Sequence, residues 1–139
     1  MSIHKLDTKI YVGQKAFINK EGKLLVLRDA EEDKGLDFPG GKYRWGENIE
    51  DELRREVIEE TGLEIEIGKP FITWTAEHAG GKVKVFLIGY LCEYKSGEIT
   101  LSEEHNKFEW IDKNGIDRWK EETKYFEALE EYFRVVKGA

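Results

Sequence analysis

Cysteine is nearly absent from this chain of 139 residues: Cys92 stands alone, so no disulfide can form within it. Its position inside the apolar run VFLIGYLC, residues 85–92, predicts a small buried side chain rather than a nucleophile or a metal ligand. That run is also the longest apolar stretch. It falls far short of the roughly 20 residues a membrane-spanning helix needs and reads as a buried strand. Proline is scarce too, with two residues, and no low-complexity tract or internal repeat is visible, which excludes fibrous and disordered classes. The opening MSIHKLDTKI has no apolar core followed by a small-residue cleavage site, so a cytoplasmic location away from membranes is expected. Concentrated Lys/Arg blocks are missing. With 22 basic against 29 acidic residues and a formal net charge of −7, stable nucleic-acid binding is not expected. An acidic chain can still bind phosphates through local cations, and a divalent metal held by carboxylates is the obvious supply.

What is present describes an ordinary globular protein. A chain of this length buries about two-thirds of the surface its unfolded form exposes, and one domain over 1–139 is expected. IYVGQKAFIN (10–19) and KLLVLRD (23–29) are rich in strand formers and are joined by the hairpin signal KEG. A polar loop, AEEDKGLD, then leads to FPGG, where a proline and two glycines punctuate the chain before a helix. Asn48 is a suitable N-cap, Asp51 completes an approximate capping box, and Gly62 is placed to end the helix. Opposite charges at i,i+4 predict the pairs Glu50–Arg54, Asp51–Arg55 and Arg55–Glu59. Beyond it, LEIEIG, FITWTAEH and KVKVFLIGYLCEY read as strands, the last two joined by AGGK. KSGEITLSEEHNK reads as polar loop, FEWI as a short strand, and the C-terminal region as one short and one longer helix. Tyr125, Phe126, Leu129, Tyr132 and Phe133 recur there at helical spacing and are assigned to core packing.

The segment REVIEETG, 55–62, places Glu56, Glu59 and Glu60 within roughly 100° of helix circumference, with Glu52 at their edge. Ile49, Leu53 and Val57 lie beside this acidic stripe. A solvated face usually sits opposite the apolar one, so carboxylates at its margin either remain solvated or look into a cleft. In a cleft they would suit Mg2+ or Mn2+, which prefer hard oxygen ligands and share substrate phosphates. Phosphoryl chemistry follows naturally. Gly40 and Gly41, just upstream, would let a backbone carbonyl reach a metal and a phosphate approach the chain.

Taken together, GKYRWGENIEDELRREVIEETGL, Gly41 to Leu63, resembles the Nudix box: Gly, five residues, Glu, seven residues, then Arg-Glu-U-x-Glu-Glu-x-Gly-U with U aliphatic. Gly41, Glu47, Arg55, Glu56, Val57, Glu59, Glu60, Gly62 and Leu63 all match. The resemblance implies an α/β fold, an α/β/α sandwich with a mixed, curved sheet between helices. It implies hydrolysis of a nucleoside diphosphate linked to another moiety, with Mg2+ or Mn2+ as cofactor. By position, Glu56, Glu59 and Glu60 would be metal ligands, one of them serving also as a base, and the Gly41 carbonyl a further ligand. Arg55 would orient a box glutamate. Many members carry an acid where this chain has Arg44, which is either a phosphate contact or a solvent-facing arginine.

Members of the family often add an acid from a later loop, and SEEHNKFEW supplies Glu104, with Glu103 in reserve, as ligand or base. His105 could assist proton transfer or be structural. Phe17, Tyr43, Trp45, Trp74 and Trp119 are candidate stacking surfaces for a base, each otherwise a packing residue. The expected partner is a small-molecule nucleotide, and a homodimer is left open. A MutT-like nucleoside triphosphate pyrophosphohydrolase is favoured over a dinucleoside polyphosphate or nucleotide-sugar hydrolase, and over a catalytically silent nucleotide-binding module.

Overall fold

A computed structural model describes residues 9–29, 35–121, 123 and 125–136. Seven strands form one mixed sheet: β1 (Ile10–Lys20), β2 (Lys23–Asp29), β3 (Leu36–Asp37), β4 (Gly40–Lys42), β5 (Glu64–His78), β6 (Val83–Ser96) and β7 (His105–Ile111). The expected first hairpin forms. Glu21 and Gly22 both take positive φ, 52° and 85°, which is the backbone twist a two-residue hairpin turn requires. The longest partner of β1 is β6, which runs parallel to it from Ile10 opposite Lys84 to Asn19 opposite Glu93. β6 returns antiparallel along β5, and β2 pairs with β7 along one edge and with β3 on the other.

Strand alternation sends side chains to opposite faces, and each face has its own core. Ala16, Ile18, Leu25, Leu27, Tyr90 and Cys92 meet Leu53 and Val57 of α1 (Ile49–Thr61). On the other side, Phe17, Leu24, Val26, Trp74 and Leu87 meet Leu129 and Tyr132 of α2 (Phe126–Val135). The sheet therefore lies between helices. No helix among the described residues is long and apolar enough to cross a membrane. Cys92 is buried as expected, and burial pushes its thiol up to about 12.

Several sequence expectations are corrected. LEIEIG and FITWTAEH are one strand, β5, with register irregularities around Pro70. Because β5 is an edge strand, a residue without an N–H interrupts the ladder without ending it. The stretch AEEDKGLD is not loop throughout: Leu36–Asp37 pairs with Leu27–Arg28, while residues 30–34 lie outside the described region, as do the first eight residues of the N-terminal reading. FPGG leads into β4 instead of directly into the helix. The FEWI strand begins earlier, at His105, because the ladder to β2 continues past Lys107. The short C-terminal helix is a 3-10 helix, Lys113–Trp119.

α1 follows its local signals closely. The Asn48 side chain accepts from the Glu50 and Asp51 amides, and Gly62 ends the helix in the left-handed conformation at φ 78°. Of the expected i,i+4 pairs, Arg55–Glu59 forms at 2.7 Å. Arg54 turns to Asp51, and Arg55 to Glu52, at i,i+3. For Arg55 the difference is tertiary: Glu52 is sealed at the margin of the core and draws the guanidinium to it.

Candidate active site

The acidic stripe borders the face of α1 that packs on the sheet through Leu53 and Val57. Its four carboxylates differ sharply in environment. Glu52 is 3% exposed and Glu60 5%. The Glu56 side chain is 21% exposed and that of Glu59 56%.

β4 brings the glycine pair to this stripe. Gly40 has φ 146°, and a Cβ there would lie 2.0 Å from the Gln14 carbonyl oxygen, so only glycine fits against β1. Its amide donates to Glu60 Oε2 at 2.8 Å, which ties the loop to the C-terminal end of the stripe. A Cβ on Gly41 would meet the Glu56 carboxylate at 3.0 to 3.3 Å. Gly41 thus lets the backbone lie directly over that carboxylate.

The turn before β7 closes the other side. One donor atom from each of Glu60, Glu104 and His105 lies within 4.8 Å of the others. Burial raises the Glu60 carboxyl to about 8, and the neighbouring Asp37 and Glu104 reinforce the shift against the Gly40 amide and Lys15. Burial also raises Glu56, with Arg55 opposing. Glu104 and Glu103 are both exposed.

Arg55 is the hub of the stripe. Its Nη1 donates to Glu59 at 2.7 Å, and its Nη2 to Glu56 at 3.1 Å and to both oxygens of Glu52. Arg44 grips the same two Glu52 oxygens from the loop, at 2.9 and 3.2 Å. The Arg44 hydrogen bonds, followed by those of Arg55, pull Glu52 down to about 2. Arg44 therefore spans from solvent to a buried carboxylate.

Sequence reasoning missed a second charged cluster behind Glu60. Lys15, on β1, places Nζ 3.1 Å from Asp37 Oδ1, and His105 Nε2 lies 3.3 Å from Asp37 Oδ2. Burial alone would disfavour both charges, but their mutual attraction holds Lys15 above its ordinary value and Asp37 well below the usual carboxylate range. The signal was a lysine within the otherwise buried run of β1, which needs an acid opposite it. His105 is buried on a strand end and not in a loop.

The aromatic candidates divide. Phe17, Trp74 and Trp119 are buried in the α2-side core, which makes them packing residues. The Tyr43 hydroxyl donates to the Glu47 carbonyl. Trp45, 96% exposed, is the free ring among the five.

A family model described as the NUDIX domain matches residues 13–132. The chain is 33% identical over 110 residues to the nucleoside triphosphatase NudI of Escherichia fergusonii, covering 68% of this chain and 76% of that one. It is 33% identical over 109 residues to nucleoside diphosphate-linked moiety X motif 6 of Mus musculus, covering 73% of this chain but only 34% of that longer relative. The crystal structure of a MutT protein from Methanosarcina mazei superposes with a TM-score of 0.79 at 28% identity, covering 93% of this chain and 96% of that one.

Proposed function

The chain belongs to the NUDIX domain family, and from that premise we propose that it hydrolyses a phosphoanhydride bond in a nucleoside diphosphate linked to another moiety, using Mg2+ or Mn2+. A nucleoside triphosphate is the favoured substrate, cleaved to a nucleoside monophosphate and pyrophosphate. The observation that carries this reading is the environment of Glu60. It is a buried carboxylate beside a second one, Glu104, and among the described residues it forms no ion pair. Burying such a group as an anion is costly unless a cation joins it, and without one it holds a proton instead.

The residues fit a hard divalent cation. Glu56, Glu59, Glu60, Glu104 and the Gly41 carbonyl would hold it, an oxygen donor set of the kind Mg2+ and Mn2+ prefer. Once bound, such ions neutralise phosphate charge and make water more acidic. The chain's own groups supply the rest. Glu59 and Glu104 are exposed carboxylates, and either can accept the proton of the attacking water. Arg55 fixes Glu56 and Glu59 in orientation. Gly41 lets the backbone lie directly over the Glu56 carboxylate, while Gly40, packed against β1, gives its amide to Glu60 rather than to a phosphate. Arg44, mostly exposed, can extend toward a phosphate only while remaining anchored to Glu52.

The test is a screen of purified protein against nucleoside triphosphates, damaged nucleotides, dinucleoside polyphosphates and nucleotide sugars with Mg2+ or Mn2+, with and without excess chelator. Triphosphates are expected to turn over fastest, and Glu104→Gln to slow the reaction about 10²- to 10⁴-fold. Preferred cleavage of another class reassigns the substrate. Undiminished activity in chelator refutes the metal mechanism.

A further inference from the structure

Glu52 lies outside the residues expected to touch metal or substrate, yet it is the most deeply buried carboxylate of the stripe, and two arginines from different elements converge on it. The reason lies in how Arg55 divides its donors. Its Nε is buried without a partner among the described residues, so its grip depends on the two terminal nitrogens. Nη1 serves Glu59. Nη2, with only two hydrogens, lies within 3.2 Å of three oxygens: two of Glu52 and one of Glu56. Glu52 and Glu56 therefore compete for one guanidinium edge.

We propose that Glu52 is a positioning residue that holds Arg55 back from Glu56 and Glu59, keeping those carboxylates oriented but available to a divalent cation. Without this anchor, the full charge of Arg55 falls on the two glutamates and competes with the metal for the same lone pairs. Arg44 grips the same buried carboxylate from the loop side. The inference rests on the reading that the stripe binds a divalent cation.

The experiment is direct titration of the substrate-free protein with Mn2+, following free Mn2+ by its paramagnetic signal, for wild type and four variants. Glu56→Gln, which removes a proposed ligand, should weaken binding strongly; if it binds as wild type does, or if wild type binds no Mn2+, the functional reading fails and the inference with it. Glu52→Gln should raise the Kd about 10- to 100-fold, the scale seen when a partner of a metal ligand is removed. Arg44→Gln leaves the Glu52–Arg55 contact intact and should bind Mn2+ at least as tightly as wild type. The double variant Glu52→Gln/Arg44→Gln restores the wild-type net charge while leaving Arg55 unanchored, and it should remain weak. Wild-type affinity in Glu52→Gln, with Glu56→Gln impaired, overturns the inference alone. So does recovery in the double variant, which would make the effect one of net charge, or weakened binding by Arg44→Gln. Because the Arg44 side chain is mostly exposed, that last arm reads out even if Glu52→Gln folds poorly.

Discussion

Replacing Glu60 by Gln should stabilise the metal-free protein, and the gain should grow with pH. Burial raises this carboxyl from 4.5 to about 8. The folded chain therefore holds the proton more tightly than the unfolded chain. The contribution to stability is complete below pH 4.5 and is lost as the pH rises through about 8. At roughly 1.4 kcal/mol per pH unit across that window, going from pH 5 to pH 8 costs the metal-free wild type on the order of a few kcal/mol through this one group. For a chain of this size, where 1 kcal/mol moves Tm by about 3 to 5 °C, the loss corresponds to a fall of about 10 °C or more. Gln keeps the side-chain size and still accepts from the Gly40 amide, but it has no charge to bury. The assay is a series of thermal melts of both proteins in chelator, at constant ionic strength, from pH 5 to pH 8. Saturating Mg2+, at one hundred times its Kd, should then stabilise wild type by about 2.7 kcal/mol. Glu60→Gln should gain markedly less. If Glu60→Gln melts lower than wild type at every pH, and Mg2+ shifts both equally, this carboxylate is structural and the argument is wrong.

Two further outcomes follow from the same geometry. Gly41→Ala should fold, because the Glu56 side chain can give way by a few tenths of an ångström, but displacing that carboxylate should weaken Mn2+ binding and turnover together; unchanged metal affinity would show that the close approach is incidental. Lys15→Met should cost about 3 to 5 kcal/mol in denaturant unfolding by leaving Asp37 buried with a weaker partner. Since the low Asp37 pKa contributes stability that is present above the unfolded carboxylate value and lost as pH falls, the variant should also show a shallower acid limb than wild type; an identical limb would mean Lys15 does not set the charge of Asp37.

The acidic stripe was legible because it is local. Helix periodicity alone puts Glu52, Glu56, Glu59 and Glu60 on one side, and the caps Asn48 and Gly62 depend on nearest neighbours, so the structure reproduces them with little outside help. Likewise, the long strands around that helix followed from short-range alternation and turn residues, whereas the short β3 and β4, the early start of β7 and the joining of two segments into β5 at Pro70 did not. Which carboxylate is buried could not be read in this way. Glu52 and Glu59 flank Arg55 at i−3 and i+4, yet one is sealed and the other exposed, because Arg44 returns from a loop to cover only the first. The parallel pairing of β1 with β6 is likewise a contact across more than sixty residues of chain, fixed by which faces both helices must cover. On its other edge β1 pairs with β4, where Gly40 can reach Glu60, and Lys15 meets Asp37. Local sequence determined which groups could bind a cation. Desolvation and long-range pairing, which exist only once the chain has closed on itself, decided which of them carry the charge.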